Sequence, residues 1–147
     1  MDNEKLIELA KEARGFACPE ISGFKVGAAL LTGDGKVFLG CNIEDPSGIG
    51  VTNICAERCA VIKALSEGHR EFEKIAVVGG MDGLVTCTPC GACRQYLNSF
   101  CPQITVICLE GNEVKEYKMN ELLPHSFKEM LPSVLSNPHH EYCVANV

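Results

Sequence analysis

The sequence predicts an α/β protein, a three-layer αβα sandwich built on a mixed sheet of about five strands. Two patterns predict it: a β-hairpin pattern near the start, then apolar strand patterns that alternate with helical ones. The length of 147 residues suits one domain with a buried core. We therefore expect a single domain over residues 1–147, whose tail after about residue 132 has no clear periodicity and no assigned role.

Each expected element rests on a local pattern in the chain. Apolar residues at helical spacing indicate helices, short apolar runs between turn residues indicate strands, and a stretch rich in Pro, Gly and Ser indicates a loop. Turns are expected at Gly33-Asp34-Gly35 and Gly111-Asn112, and helix caps at Asp2 or Asn3 and at Asn120. In chain order we expect a helix over 3–14, strands over 24–31 and 37–41, a loop over 45–54, a helix over 55–66, a strand over 74–79, a helix over 91–100, strands over 104–109 and 114–118, and a short helix over 121–123.

Composition and charge narrow the range of partners. The net charge is −6, and the basic residues are scattered, with no run longer than His69-Arg70. An enzyme that binds nucleic acid needs a basic surface, so we expect a small neutral substrate and no nucleic acid. No apolar run approaches membrane-spanning length, and the charged, helix-like start does not resemble a secretory signal. We expect a cytoplasmic protein without a membrane partner.

The spacing of three cysteines predicts a zinc site. The chain has ten cysteines, and without a secretory signal these favour metal binding and buried thiols over disulfides. Cys90 and Cys93 are spaced so that both thiolates reach one ion, and Cys55 supplies a third ligand. Three protein ligands leave the fourth tetrahedral position open, as in catalytic zinc sites. Cys87 is not expected to be a ligand, because Thr88-Pro89 separates it from Cys90 and no fourth protein ligand is needed.

Glu57 lies two residues from a ligand, where it can exchange protons with a water at the open position. Cys55-Ala56-Glu57 followed by Pro89-Cys90-Gly91-Ala92-Cys93 is the signature of the zinc deaminases that act on nucleobases. The expected reaction is hydrolytic deamination, in which Glu57 takes a proton from water, protonates the ring nitrogen and then protonates the leaving ammonia.

Three thiolates on one Zn²⁺ leave a net charge of −1, so the site needs compensating positive charge. The cysteines begin two expected helices, whose free N–H groups and positive ends can stabilise sulfur charge. Arg58 and Arg94 follow directly on the two motifs and are expected to donate to thiolates around the ligands. The alternative for each arginine is a solvated charge on a helix face.

The sequence resembles the cytidine deaminase family, in particular its small, homotetrameric class with an all-cysteine zinc site. The resemblance covers residues 1 to about 130 and rests on five segments in the family's order: FKVGAALL, GCNIE, CAER, PCGACRQ and LLPHSF. It implies one zinc ion per chain held by Cys55, Cys90 and Cys93, with Glu57 as the proton shuttle. It also implies a cytidine deaminase fold, a homotetramer, and a hydrolase that converts cytidine or deoxycytidine to uridine or deoxyuridine in pyrimidine salvage.

The resemblance further implies a set of substrate-binding residues. Asn42 and Glu44 resemble the pair that holds the ribose 3′-hydroxyl, and their spacing at a strand end lets both side chains point the same way. Phe24 and Phe127 resemble the aromatics that pack on the pyrimidine ring, and Ala56 belongs to the same substrate-binding set. The alternatives are strand-end turn residues for the polar pair and core packing for the aromatics.

Two departures from the family pattern lie around the substrate. Residues 18–22 read Cys-Pro-Glu-Ile-Ser where relatives commonly have Pro-Tyr-Ser, and the loop 45–54 is longer and has no aromatic residue. They favour keeping a second reading, in which the protein deaminates a modified cytosine nucleoside, as blasticidin-S deaminase does. A zinc-stabilised binding protein without activity is a third reading, which the presence of Glu57 opposes. Because of the longer loop, we expect a pocket wider than that of relatives at a subunit boundary. We expect the apolar contact surface there to be formed by Ile49, Val51, Ile54, Val61 and Leu65.

Overall fold

A computed structural model describes residues 1–127 of the protein. The tail after about residue 132, for which the sequence predicts no structure, lies outside these residues. Besides a short 3₁₀ helix at Gly50–Thr52, the described elements are α1 (Asn3–Arg14), β1 (Lys25–Thr32), β2 (Val37–Cys41), α2 (Ala56–Ser66), β3 (Phe72–Gly80), α3 (Gly91–Phe100), β4 (Thr105–Glu110), β5 (Glu113–Lys118) and α4 (Met119–Leu122).

The five strands form one mixed sheet in the order β2-β1-β3-β4-β5. β3 and β4 are parallel, whereas β1 pairs antiparallel with β2 and β3, and β4 pairs antiparallel with β5. The two parallel strands are joined through α3, as expected of a strand–helix–strand crossover. The predicted mixed sheet of five strands is confirmed.

Apolar side chains on the two faces of the sheet form two separate cores. β1 shows the division, because successive side chains in a strand point to opposite faces. Ala28 and Leu30 pack into the core beneath α2 and α3, whereas Ala29 and Leu31 pack against α1. Helices therefore cover both faces, which confirms the predicted αβα sandwich.

Two glycines let helix backbones lie directly on strands. A Cβ on Gly27 of β1 would lie 2.1 Å from the carbonyl oxygen of Ala10 in α1. A Cβ on Gly40 of β2 would lie 2.3 Å from the carbonyl oxygen of Ala56 in α2. Since carbon atoms in contact are normally about 3.5–4.0 Å apart, no larger residue fits without moving the helix. The glycines of FKVGAALL and GCNIE thus set the height of both helices above the sheet.

Some expected local features differ from the structure. Of the two candidate caps for α1, Asp2 caps the helix, accepting a hydrogen bond of 2.7 Å from the N–H of Lys5. Asn120 does not cap α4, which begins at Met119 because the Glu121 carboxylate reaches back to the N–H of Lys118 at 2.6 Å. The expected strand over 74–79 begins two residues earlier, at Phe72.

The expected apolar contact surface is only partly exposed. Val61 is fully buried and Leu65 packs against the core beneath α2, because both lie on the inner face of that helix. Including them in a contact surface was therefore wrong. Ile49 and Val51 in the 45–54 loop are exposed, as expected, and Ile62 is exposed on the outer face of α2.

Within residues 1–127, none of the helices combines the length and the apolar character needed to cross a membrane.

Candidate active site

Three thiols converge where the N-termini of α2 and α3 meet. Cys55 is the N-terminal cap of α2, Cys90 is the N-terminal cap of α3, and Cys93 lies in the first turn of α3. The three sulfur atoms lie within 4.8 Å of one another, and those of Cys55 and Cys90 are 3.8 Å apart. Cys55 and Cys90 thus lie at the positive ends of two helices, a position that favours the thiolate form.

The geometry of this cluster fits a zinc ion. Tetrahedral coordination with Zn–S bonds of about 2.3 Å places two sulfurs about 3.8 Å apart. That is the separation of the Cys55 and Cys90 sulfurs. In residues 1–127 no other group of three Cys, His, Asp or Glu residues is close enough to hold a metal. Cys87 lies outside the cluster, as predicted.

Glu57 is a buried carboxylate on the same helix turn as Cys55. Its side chain is only 4% exposed, and the Cys93 thiol donates to its Oε2 atom at 3.5 Å. Burial is the main reason that the pKa of Glu57 rises to about 7. A carboxyl group with a pKa near neutrality can both accept and release a proton, which a general acid–base catalyst must do.

Arg58 lies beside the ligands, as predicted. Its guanidinium Nη2 contacts the sulfur of Cys55 at 3.9 Å and the carbonyl oxygen of Asn53 at 3.4 Å. Hydrogen bonds from Cys93 first and from Arg58 next lower the pKa of Cys55 to about 5. The buried Nε atom of Arg58 has no hydrogen-bond partner among the described residues. The guanidinium therefore offsets part of the negative charge of the thiolates.

Arg94 is placed differently from the expectation. Its Nε donates to the carbonyl oxygen of Pro89 at 2.7 Å, and Nη1 donates to that of Leu122 at 2.8 Å. Nη2 donates to the Thr88 hydroxyl at 3.0 Å. The guanidinium binds oxygen acceptors and not a thiolate, because it folds back over the loop that leads into Cys90. Arg94 therefore supports that loop and ties it to α4.

Asn42 and Glu44 both turn towards the segment that precedes β1. Asn42 accepts from the N–H of Val26 at 2.7 Å and donates to the carbonyl oxygen of Phe24 at 2.8 Å. Glu44 accepts from the N–H groups of Ile21 and Ser22 at 2.6 and 2.9 Å. The Ser22 hydroxyl and these N–H groups hold the pKa of Glu44 below its usual range. The pair shares one side, as its spacing predicts, and orders residues 21–26.

The other expected substrate residues divide into two groups. Phe24 is half-buried, and its ring lies against Gly79 and Cys87. Ala56, the first residue of α2, is fully buried beside Glu57. Phe127, by contrast, is 69% exposed, and its carbonyl oxygen accepts a hydrogen bond from Gln95 at 3.2 Å. The structure therefore places Ala56 beside Glu57 and Phe24 beside Gly79, and it leaves Phe127 largely exposed.

Gly79 is a residue of this region that the sequence did not indicate. It is a single glycine near the end of an apolar strand, and no local pattern distinguishes it from other strand-end glycines. Of its two neighbours, Phe24 comes from a distant part of the chain, and Cys87 comes from the loop that follows β3. Only the long-range pairing of β1 with β3 and the path of the loop to Cys90 bring them together.

Comparison with known proteins identifies the family. The family model described as "Cytidine and deoxycytidylate deaminase zinc-binding region" matches residues 1–109. The cytidine deaminase of Sporosarcina psychrophila is 45% identical over 131 residues, which cover 88% of this chain and 93% of that protein. The cytidine deaminase of Halalkalibacterium halodurans is 48% identical over 130 residues, which cover 86% of this chain and 95% of that protein.

Solved structures agree with the sequence comparisons. The crystal structure of cytidine deaminase from Burkholderia pseudomallei superposes with a TM-score of 0.78 at 45% identity, covering 86% of this chain and all of that one (100%). That of cytidine deaminase from Mycobacterium tuberculosis gives a TM-score of 0.73 at 31% identity, covering 88% and 99% of the two chains. The chain therefore belongs to the cytidine and deoxycytidylate deaminase family and carries that family's zinc-binding region.

Proposed function

We propose that this protein is a zinc-dependent cytidine deaminase that hydrolyses cytidine and deoxycytidine to uridine and deoxyuridine, releasing ammonia in pyrimidine salvage. The arrangement of Glu57 carries the proposal. It places a buried carboxylate beside a cluster of three thiols, two of which begin helices. The relatives named above are cytidine deaminases, and their sequences cover most of this chain.

The chemistry divides between the metal and Glu57. When bound to Cys55, Cys90 and Cys93, zinc supplies the Lewis acidity that makes water a nucleophile near neutral pH. Glu57 would accept one proton of the attacking water and pass it to the ring nitrogen next to the reacting carbon. It would then take the second proton from the hydroxyl group that has been added to that carbon and deliver it to the amino group as the carbon–nitrogen bond breaks. One carboxyl group suffices because the transfers follow one another and its pKa of about 7 suits both directions.

Asn42 and Glu44 would hold the ribose in this reaction. Glu44 is ionised at neutral pH and has more lone-pair sites than the hydrogen bonds it accepts from residues 21–22 occupy. A ribose hydroxyl can therefore add to the existing network as a donor. The same network fixes the backbone on both sides of Phe24, so sugar and base recognition share one segment.

We also propose a cytoplasmic homotetramer in which neighbouring chains close the site. Val51 is 91% exposed and Ile49 is 53% exposed, although loop 45–54 is ordered by hydrogen bonds from Thr52 and Ser47 to Asp45. Apolar side chains on an ordered, exposed loop are typical of a contact surface. Phe127 is 69% exposed, which suits a role of its ring in the site of a neighbouring chain.

A substrate panel tests the proposed function. The panel contains cytidine, deoxycytidine, free cytosine and blasticidin S, and deamination is followed by loss of absorbance and release of ammonia. We expect cytidine and deoxycytidine to be converted with the highest kcat/KM and cytosine to react poorly, because it has no sugar for Asn42 and Glu44. Preferred turnover of blasticidin S would replace the proposal with the modified-nucleoside reading.

A further inference from the structure

Gly79 lies near the end of β3, next to Cys87 in the loop that leads to Cys90. It follows Ile75 and Val77 on the strand face that packs under α2 and α3, and it is buried. It pairs with Val26 of β1, two residues after Phe24. The face of β3 that forms the core therefore ends in a residue without a side chain at the position nearest to Phe24.

Two side chains fill the space that Gly79 leaves. A Cβ on Gly79 would lie 2.7 Å from the sulfur of Cys87 and 2.8 Å from Cε1 of Phe24. Both distances are well below the contact distance of about 3.5–4.0 Å. The edge of the Phe24 ring and the Cys87 thiol thus rest together on the Gly79 backbone.

The two side chains of this contact differ in what surrounds them. Cys87 is a neutral thiol, because burial first and the charge of Glu57 next raise its pKa to about 11. Its role in this position is therefore packing. The Phe24 backbone is held by Asn42 at its carbonyl oxygen and by the Ser22 hydroxyl at its N–H, at 2.8 and 3.1 Å. With the backbone fixed, the contacts of the ring decide where it points.

We propose that Gly79 and Cys87 form a seat that positions the Phe24 ring at the nucleoside pocket, and that the missing side chain at position 79 sets the width of this pocket. The inference rests on the proposed deamination of cytidine and adds two positioning residues to it. Neither residue takes part in proton transfer or metal binding, so their effect falls on substrate binding.

Gly79→Ala is the direct test. The added methyl group displaces the ring from its seat, so we expect KM for cytidine to rise at least about tenfold, since small misplacements at a binding site have large effects. We expect kcat to stay within about threefold and zinc content to stay at one per chain, because Glu57 and the three thiols are untouched. Binding of uridine, measured by calorimetry, should weaken in parallel with KM.

The matched control is Gly83→Ala. It makes the same change in the loop that follows β3, but a Cβ there meets nothing within 4 Å. We expect KM, kcat and uridine binding of this variant to equal those of the wild type. A rise in KM at Gly83 as large as that at Gly79 would overturn the assignment of a specific seat.

A double-mutant cycle with Cys87→Ala separates the seat from a general loss of packing. Alone, Cys87→Ala loosens the seat, so we expect about a threefold rise in KM with full zinc occupancy. Combined with Gly79→Ala it removes the closest clash, so KM should fall below that of Gly79→Ala alone. Independent, additive effects would overturn the proposal. If Gly79→Ala fails to fold, an unchanged KM for Cys87→Ala also overturns it.

Measurements on the wild type and on Gly79→Ala distinguish failure of the proposed function from failure of the seat. A wild-type protein that neither deaminates cytidine nor binds uridine contradicts the proposed function itself. An active wild type whose Gly79→Ala variant keeps KM within about twofold contradicts only the seat.

Discussion

Glu57 and Arg94 show how much of a residue's role depends on its surroundings. Both follow a cysteine motif, and the motif alone predicts that each lies near the metal. Glu57 is buried against the Cys93 thiol, so its position is the one that the motif predicts, while its role in proton transfer stays a prediction. Arg94 binds Pro89 and Leu122 instead, because acceptors from the preceding loop and from α4 lie closer than a thiolate. Spacing predicts which residues share a helix turn, but long-range packing selects the partners of a long side chain.

Zinc content should depend on which cysteine is replaced. Cys55→Ala, Cys90→Ala and Cys93→Ala each delete a ligand, so each should lower occupancy below one ion per chain. Cys87→Ala is the matched control, because its thiol is nearby but outside the cluster, and it should keep full occupancy. Metal analysis by mass spectrometry measures all four variants. Full zinc in a ligand variant, or loss of zinc in the control, would mean that the ligand set is wrong.

Asn42→Ala and Glu44→Ala should weaken nucleoside binding by about 1–3 kcal/mol each, the cost of leaving a buried polar group unpaired. Free cytosine provides the control, because it lacks the ribose that these side chains are proposed to hold. The ratio of kcat/KM for cytidine to that for cytosine should therefore fall in both variants. If both substrates lose equally, the residues support the segment around Phe24 but do not bind the sugar.

At the scale of elements, strand and helix order could be predicted because each element has a clear apolar period and a turn signal. The first and last residues of the elements were harder to predict than their order. At α4, Glu121 and not Asn120 accepts a hydrogen bond from the free N–H at the helix start. The seat at Gly79 could not be predicted, since it depends on how β1, β3 and the loop to Cys90 approach one another. The contacts of Gly27 and Gly40 could not be predicted either, because they depend on how closely each helix approaches the sheet.

Gly40→Ala should destabilise the protein and weaken its zinc site together. The added Cβ would lie 2.3 Å from the backbone of α2, so the helix that carries Cys55 and Glu57 must move. Overpacking of this kind costs about 1–3 kcal/mol of the free energy of unfolding. Gly27→Ala creates a similar clash with α1, which carries no ligand, and should lower stability without weakening zinc.

Urea unfolding and competition with a zinc chelator measure the two effects. If Gly40→Ala and Gly27→Ala lose equal stability and keep equal zinc affinities, the distance between α2 and the sheet does not control the metal site.

At the scale of the whole molecule, the exposed apolar side chains bear on the proposed homotetramer. The exposed apolar residues of loop 45–54 and the exposed Phe127 ring are the surfaces that a neighbouring chain could cover. We expect a mass of four chains by light scattering behind a sizing column. Val51→Asp, which introduces charge at a 91% exposed position, should lower the mass and raise KM for cytidine together. A fully active monomer would contradict both the assembly and the shared site.

The rate of uridine formation by Glu57→Gln, measured beside its zinc content, tests the central claim most directly. The amide keeps the size of the side chain but cannot carry protons between water, ring and leaving group. We predict full zinc occupancy, an unchanged fold, and a fall in kcat of at least about 10²–10⁴-fold, the usual contribution of general acid–base catalysis. A variant with full zinc that retains about a tenth of the wild-type rate would contradict the role of Glu57 and the mechanism built on it.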